Sequence, residues 1–260
     1  MSTPANAGLV EASGLAASSV HEGAFYAHND SGDTARFFAF GADGSDLGTY
    51  DVAGANAIDW EDMSRGPCAD PKKSCLYFGD IGDNDTERKT YVVYRVEEPA
   101  TLGPGTFTVQ SEAFTFRYPD GSHNAEALLV HPTTGVVYIV TKSASAAKIF
   151  AFPTPLDSKK TATLVELGEA TVPDLIPLVT GGDIHPSGTG VLLRTYTSIW
   201  LYPIARGGTV EAALAAKPCS LPTSVERQGE TVAWTPSGDG YRSISEGSRQ
   251  TVHGVTCGHN

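Results

Sequence analysis

An acidic residue recurs along this chain at intervals that a single structural repeat would produce. It stands at the start of five similar segments, and successive acids are 50, 65, 57 and 47 residues apart. The five positions are Glu11, Glu61, Glu126, Asp183 and Glu230. Five repeats in 260 residues leave about 52 residues each, which is enough for four short strands. The spacing therefore predicts an all-β fold, a five-bladed β-propeller.

Strand-like segments follow each acid in a regular order. The innermost strand is predicted to begin at the acid, and a second strand rich in β-branched and aromatic residues follows a turn. Two further candidate strands complete each repeat except the last. The predicted four-stranded antiparallel blades span residues 11–52, 61–119, 126–170, 183–222 and 230–260.

The fifth repeat lacks a candidate for its fourth strand, because the sequence ends three residues after Cys257. The segment 5–10 precedes the first acid and is free to supply that strand. We therefore expect the N-terminal segment to close the ring, which would remove exposed blade edges. The alanine-rich stretch 210–216 is the one helical pattern. No segment resembles a linker, so residues 1–260 are predicted to form one domain.

Composition limits the partners that this chain can have. The formal net charge is −12 at pH 7, which disfavours nucleic acid and anionic membranes. No apolar run approaches the roughly 20 residues that span a bilayer, so membrane insertion is not expected. We expect a monomer whose partner is a cation, or a small anionic molecule held through one. The G-x-S-x-G, H-E-x-x-H and P-loop motifs are absent, which disfavours the familiar enzymes that carry them.

Four cysteines indicate an oxidising compartment. Their even number and the lack of C-x-x-C spacing favour disulfides over zinc. Cys68 and Cys75 flank a short loop between two candidate strands, which leaves Cys219 and Cys257 as the second pair. The alternative is four reduced, buried thiols. Disulfides would place the protein outside the cytoplasm, secreted or periplasmic, with its signal peptide already removed.

The second strand of each repeat ends in polar residues. In a propeller, the loop into the innermost strand and the loop after the second strand lie on the same face. The polar strand ends should therefore meet the recurring acids at one central mouth. The residues concerned are His28, Asp30, Asp80, Lys142, Arg194 and Glu246.

A cluster of carboxylates at one mouth requires a cation, shared protons or water. Calcium takes six to eight oxygen ligands, whereas zinc and copper prefer nitrogen and sulfur. We predict calcium as the cofactor, with the five recurring acids as its ligands. The alternative is that these acids bond backbone amides and waters of neighbouring blades and hold the ring in register. The two roles do not exclude each other.

A metal at the mouth allows a catalytic interpretation. Bound calcium would polarise a phosphoester or lactone and lower the pKa of a bound water. His28, Asp30 and Asp80 are the candidate bases, although a structural role for His28 stays open. Lys142, Arg194 and Glu246 are candidate substrate-binding residues. The two basic residues would grip a phosphate or carboxylate, or would only offset the local negative charge.

Five segments carry a resemblance to known proteins. They are His28-Asn-Asp-Ser-Gly-Asp, Asp59-Trp-Glu-Asp, Gly79-Asp-Ile-Gly-Asp-Asn, Ala125-Glu-Ala-Leu-Leu-Val and Gln228-Gly-Glu-Thr-Val-Ala-Trp. They resemble a group of bacterial, mostly exported β-propeller proteins without a settled activity. The recurring glutamate is more distantly similar to calcium-binding propeller hydrolases of the phytase-like and gluconolactonase/paraoxonase-like types. Those families imply acidic ligands at the channel mouth, with calcium organising phosphate or ester hydrolysis. Their usual six blades differ from the five predicted here, and no catalytic motif matches residue for residue.

Three functions therefore stay open at this point. The first is a calcium-dependent hydrolase. The second is a non-catalytic module that binds a glycan, a peptide or a small ligand, with a structural metal. The third is a scaffold without a small-molecule site. A propeller fold is compatible with all three.

Overall fold

The computed structural model describes residues 1–257, which form twenty β-strands and one short helix. The prediction of an all-β fold is confirmed. Alternating aromatic and β-branched residues favour extended chain throughout, and glycine-containing turns separate the strands. The helix α1 (Val210–Ala215) is the one predicted from the alanine-rich stretch, and it lies between two outer strands.

The first eight strands, together with β12 (Ala162–Thr163), form one nine-stranded sheet. Two antiparallel groups of four strands, each in chain order, are joined by parallel pairing between Asp46–Ala53 (β4) and Thr106–Arg117 (β8), and β12 pairs with the far end of β8. The first group is β1 (Ala12–Ala17), β2 (Ala24–Asn29), β3 (Arg36–Gly41) and β4 (Asp46–Ala53). The second group is β5 (Trp60–Pro67), β6 (Ser74–Asp80), β7 (Tyr91–Glu97) and β8 (Thr106–Arg117).

The C-terminal half forms three separate antiparallel sheets. The third group is β9 (Ala125–Val130), β10 (Val137–Thr141), β11 (Ala147–Ala151) and β13 (Val165–Ala170), and β12 is Ala162–Thr163. The fourth group is β14 (Val179–Ile184), β15 (Gly190–Thr195), β16 (Ile199–Pro203) and β17 (Cys219–Leu221). The last group is β18 (Ala233–Trp234), β19 (Gly240–Ser243) and β20 (His253–Thr256).

The first strand of each group lies at the centre of the molecule. β1 contacts β5 and β18, β5 contacts β9, β9 contacts β14, and β14 contacts β18. Each hydrophobic cluster fills the space between two successive groups. The cluster around Trp60, Phe78 and Phe37 joins the first two groups, and one around Leu192 and Trp234 joins the fourth group to the last. Apolar burial therefore binds neighbouring groups face to face.

The segment 5–10 does not form the predicted closing strand. Its backbone bonds the first group instead: the amide of Ala5 donates to Gly44 O at 2.8 Å, and that of Val10 to Asn29 Oδ1 at 2.9 Å. Contact with the last group comes from Ser2, whose carbonyl accepts from the Val252 amide at 2.7 Å. The N-terminus thus reaches the last group at a different position from the one expected.

The inner strand of the fourth group begins four residues before the predicted start at Asp183. Gly181 and Gly182, which precede Asp183, both lie inside β14. A Cβ at Gly181 would overlap the carbonyl oxygen of Glu230, and one at Gly182 would crowd Leu129. Glycine is required here because neighbouring chain segments approach closely, and not because the chain turns.

One of the two predicted disulfides is present. Cys68 and Cys75 are bonded across the turn between β5 and β6, as predicted. The pairing of Cys219 with Cys257 is wrong, since both are free and exposed. Cys219 lies on β17, whereas Cys257 follows β20 in a different sheet. No helix in residues 1–257 is long and apolar enough to cross a membrane.

Side chains on the inner strands bond the backbones of neighbouring inner strands. Asp62, which is fully buried, accepts from the Leu128 amide at 2.9 Å and from the Gly182 amide at 3.2 Å. Ser13 Oγ donates to the carbonyl of Glu61. A buried backbone group without a partner is costly, so these bonds fix the spacing of the strands.

We expect Asp62→Ala to lower the free energy of unfolding by at least about 3 kcal/mol, because the amides of Met63, Leu128 and Gly182 lose their acceptor and each costs roughly 1–3 kcal/mol. Asp62→Asn keeps one oxygen, which can still accept from the Leu128 and Gly182 amides, and should cost less than half as much. Burial raises the pKa of Asp62 well above its usual range, so a neutral amide suits the site. Urea denaturation measures both values. Equal losses for the two variants would contradict this role.

Candidate cation site at the mouth of the inner strands

A cavity of about 400 Å³ opens where the inner strands begin. It is called the central cavity below. Six carboxylates and one ammonium line it, together with hydroxyl and amide groups. The lining residues are Glu11, Asp30, Ser31, Glu61, Asn84, Glu126, Lys142, Tyr196, Gln228, Glu230 and Glu246.

Three of the recurring acids reach this cavity because they occupy equivalent positions in the strand pairing of their groups. Each follows a residue that pairs with the end of the second strand in its group. Those pairs are Trp60 with Asp80, Ala125 with Thr141, and Gly229 with Ser245. The residues that follow are Glu61, Glu126 and Glu230. Repetition of one local geometry around the centre therefore brings these carboxylates together.

Asp30 links two groups of carboxylates. In the first group, one oxygen each of Asp30, Asp59 and Glu61 lies within 4.8 Å of the others. The second group has the same property and consists of Asp30, Glu230 and Glu246. A divalent cation needs several oxygens that converge in this way.

The two carboxylate oxygens of Glu126 differ in their hydrogen bonding. Its Oε1 accepts from Lys142 Nζ, which also donates to the Tyr196 hydroxyl at 2.7 Å. Its Oε2 is buried and has no hydrogen-bond partner among the residues that the structure describes. Burying a carboxylate oxygen without a partner is unfavourable, so this atom calls for a donor or a cation.

The pKa values show how strongly the cavity resists negative charge. Burial raises the pKa of Glu126 to about 7, even though the Lys142 ammonium opposes the shift. Burial, and then repulsion by Glu246 and Glu126, raises the pKa of Glu230 to about 9. Burial and Asp30 raise the pKa of Asp59 to about 6. The pKa of Glu61 is also raised well above its usual range, by burial and the neighbouring carboxylates.

Gly82 allows the backbone to cover the first group of carboxylates. A Cβ at this position would overlap both Glu61 Oε1 and Asp59 Oδ2. The Gly82 amide donates to the Asp59 carbonyl at 3.2 Å, which holds the loop in place. The two carboxylates are therefore packed against a backbone that has no room for a side chain.

Two of the predicted bases do not reach the central cavity. His28 is fully buried against the rings of Trp60 and Phe78, and burial lowers its pKa. Asp80 is also fully buried and forms an ion pair with Arg88 at 2.8 Å. Of the three candidates, the structure places Asp30 alone at the cavity.

Asp183 and Arg194 also lie away from the cavity, in contrast to the prediction. Asp183 accepts from the Trp234 amide at 2.8 Å, so it makes the inter-strand bond that was the alternative role for the acids. Arg194 is fully buried and pairs with Glu226 at 3.1 Å. Lys142 and Glu246 do line the cavity, as the sequence suggested.

Five residues at this site were not among the predicted site residues. They are Ser31, Asp59, Asn84, Tyr196 and Gln228. Asp59 and Gln228 each stand two residues before a recurring glutamate, and residues i and i+2 of an extended chain share a face. That periodicity was the available signal. Asn84 and Tyr196 lie just beyond the ends of second strands.

Comparison with known proteins identifies the type of fold but assigns the chain to no family. No family model and no curated protein matches the chain. A solved structure described as "Crystal structure of Nidogen/Laminin Complex" is similar over 91% of this chain and 73% of that chain, with 11% identity and a TM-score of 0.51. Another, "Structure of Dos1 propeller", covers 96% of this chain and 57% of that one, with 12% identity and a TM-score of 0.42. The first similarity identifies the architecture as β-propeller-like.

The raised pKa values predict an unusual pH dependence. Glu126 and Glu230 titrate near pH 4.5 when exposed, but near 7 and 9 in the folded protein. Their stabilising contribution is therefore complete below about pH 4.5 and is lost as pH rises through the folded values. In EDTA, we expect Tm to fall by at least about 10 °C between pH 5 and 9, because one pKa unit corresponds to about 1.4 kcal/mol and each kcal/mol to about 2–4 °C.

Differential scanning fluorimetry at constant ionic strength measures this trend. The double variant Glu126→Gln/Glu230→Gln should show a flatter profile, because its amides do not ionise. A Tm that rises steadily from pH 5 to 9 in the unsubstituted protein would contradict the account.

Proposed function

We propose that this chain is a five-bladed β-propeller that binds calcium in its central cavity. Support for five blades comes from the five antiparallel groups and from the closed order of contacts among β1, β5, β9, β14 and β18. Support for the site comes from the carboxylates that these inner strands and the loops beside them carry. The function follows from the position of those groups and not from the fold alone.

The observation that carries the proposal is the free, buried Oε2 of Glu126 in a cavity with five other carboxylates. The lining offers carboxylate, amide and hydroxyl oxygens, and it includes neither histidine nor cysteine. Such a set fits a hard cation and does not fit zinc or copper. Asp30, Asp59 and Glu61 would hold the cation, with Glu230 and Glu246 as a second set around the same Asp30. The free Oε2 of Glu126 would be a further ligand.

Ligand binding is better supported than hydrolysis. A hydrolase needs a base within reach of its nucleophile, yet His28 and Asp80 are buried in other contacts. Asp30 is the remaining candidate, and its position between both groups of carboxylates suits a cation ligand. Calcium supplies a positive centre for an anionic ligand, and this chain's residues position that centre. A calcium-dependent hydrolase that uses Asp30 is the second candidate.

The Cys68–Cys75 disulfide supports a location outside the cytoplasm, secreted or periplasmic. Calcium modules outside the cell bind with Kd values of roughly 10⁻⁴–10⁻³ M. We expect an acidic site with a Kd in this range to be occupied by calcium outside the cell. We propose that the protein acts as a monomer with a small anionic partner.

Calcium binding should raise thermal stability. At a calcium concentration of 100 Kd, we expect about 2.7 kcal/mol of stabilisation and a Tm increase of roughly 5–10 °C. Glu61→Gln should remove most of this increase. Glu97→Gln should retain it, because Glu97 forms an exposed ion pair with Lys73. Isothermal titration calorimetry on both variants measures the affinity directly.

The two glutamine variants separate a specific site from general acidity. If both lost calcium binding equally, or if the unsubstituted protein bound none at millimolar concentration, the proposed function would be wrong. Magnesium provides a further comparison, since it demands a smaller and stricter octahedral site.

Hydrolysis has its own test. We expect chromogenic phosphoesters and lactones to show no turnover in calcium above that of an Asp30→Asn variant. Turnover that depends on both calcium and Asp30 would favour the hydrolase over the binding module.

A further inference from the structure

A second pocket adjoins the central cavity. It has a volume of about 430 Å³ and is called the rim pocket. Asn84 and Lys142 line both the rim pocket and the central cavity. The other walls carry hydroxyl and amide groups, including those of Thr86, Ser145 and Asn124. A ligand in the rim pocket and a cation in the central cavity would therefore both lie beside Lys142.

The other basic groups of the rim pocket are already paired. Lys148 Nζ contacts Asp120 at 2.5 Å and Glu166 at 3.3 Å. His123 Nε2 lies 2.8 Å from the second oxygen of Asp120. An anion entering the pocket would have to compete with these carboxylates. Lys142 differs, because its partner Glu126 belongs to the proposed cation site.

Lys142 occupies the position of a counter-ion in the central cavity. Its ammonium bonds Glu126 and lies 4.9 Å from the centre of the Tyr196 ring. A divalent cation that binds Glu126 would compete with the ammonium for the same carboxylate, because two positive groups in one small cavity repel each other. The displaced ammonium would then face the rim pocket, which Lys142 also lines.

Backbone strain marks the wall of the rim pocket. Thr86 has a φ of 53°, which is rare for a β-branched residue. The Asp83 carboxylate accepts from the amides of Glu87 and Arg88 at 2.9 and 3.0 Å, and so holds the loop in this conformation. Strain that the surrounding structure maintains is typical of ligand-binding segments.

We infer that the rim pocket is a subsite for a hydroxyl-bearing carboxylate of the uronic-acid type, and that calcium opens it by displacing Lys142 from Glu126. This inference rests on the proposed calcium site. The freed ammonium binds the carboxylate, while the hydroxyl and amide groups of the walls bind the sugar hydroxyls. One ammonium balances one negative charge, so a monoanion suits the pocket better than a phosphate beside six carboxylates.

The test uses D-glucuronate as the probe, with glucose and inorganic phosphate as comparisons. Calorimetry in calcium and in EDTA measures binding to the unsubstituted protein and to Lys142→Met. We expect calcium to strengthen glucuronate binding at least about tenfold, within the usual range of coupling between sites. Lys142→Met should bind calcium more tightly, because the competing ammonium is gone, and should lose glucuronate binding.

Lys73→Met is the matched control. Lys73 lies just before β6, at the end of that strand remote from the cavity, and its exposed ion pair with Glu97 touches neither pocket. It should change neither affinity. Lys142→Gln keeps an N–H donor for Glu126 and should give the same pattern as Lys142→Met if the latter folds poorly.

The inference is overturned if glucuronate binds equally in calcium and in EDTA, or if Lys142→Met binds calcium more weakly. It is also overturned if glucose or phosphate binds as tightly as glucuronate. If the protein bound calcium but not glucuronate, this inference would be contradicted and the proposed calcium binding would still stand. Absence of calcium binding would instead remove the proposed function itself.

Discussion

The structure depends on how the central strands satisfy their inward-facing backbone groups. These strands hydrogen bond to the next strand in their own group on one edge, while the other edge faces the centre. Side chains take the place of a strand partner there: Asp62 serves two neighbouring strands, Thr180 Oγ1 donates to Gly229 O, and Asp183 accepts from Trp234. Because buried backbone groups must be paired, these few polar side chains set the spacing of the ring.

The same arrangement produces the acidic mouth. Once the inner strands are fixed, the residues at their beginnings have no room to separate. Glu61, Glu126 and Glu230 are therefore held near one another and near Asp30, although burial and repulsion raise the pKa of each glutamate. A protein that maintains such unfavourable contacts in one place usually does so for function. A cation bound there, as proposed, would turn this local cost into binding free energy.

Much of this arrangement could be predicted from the sequence, because a repeated residue at a repeated register occupies equivalent positions. That reasoning holds for Glu61, Glu126 and Glu230, and Glu11 also lines the cavity. It fails for Asp183, since sequence alone does not show that the inner strand starts at Val179, which places Asp183 further along the strand and beside the Trp234 amide. The burial of His28 and Asp80 also could not be predicted from the sequence, because it depends on the packing of Trp60 and Arg88 against them. The free state of Cys219 and Cys257 depends on which sheets their strands join, which spacing does not reveal.

The most direct test of the central claim is anomalous diffraction from crystals grown in calcium, or soaked in a lanthanide that substitutes for it. The account predicts one or two strong anomalous peaks inside the central cavity, within bonding distance of Asp30 and Glu61. A cavity that contains only water at millimolar calcium, with its carboxylates turned outward, would contradict it.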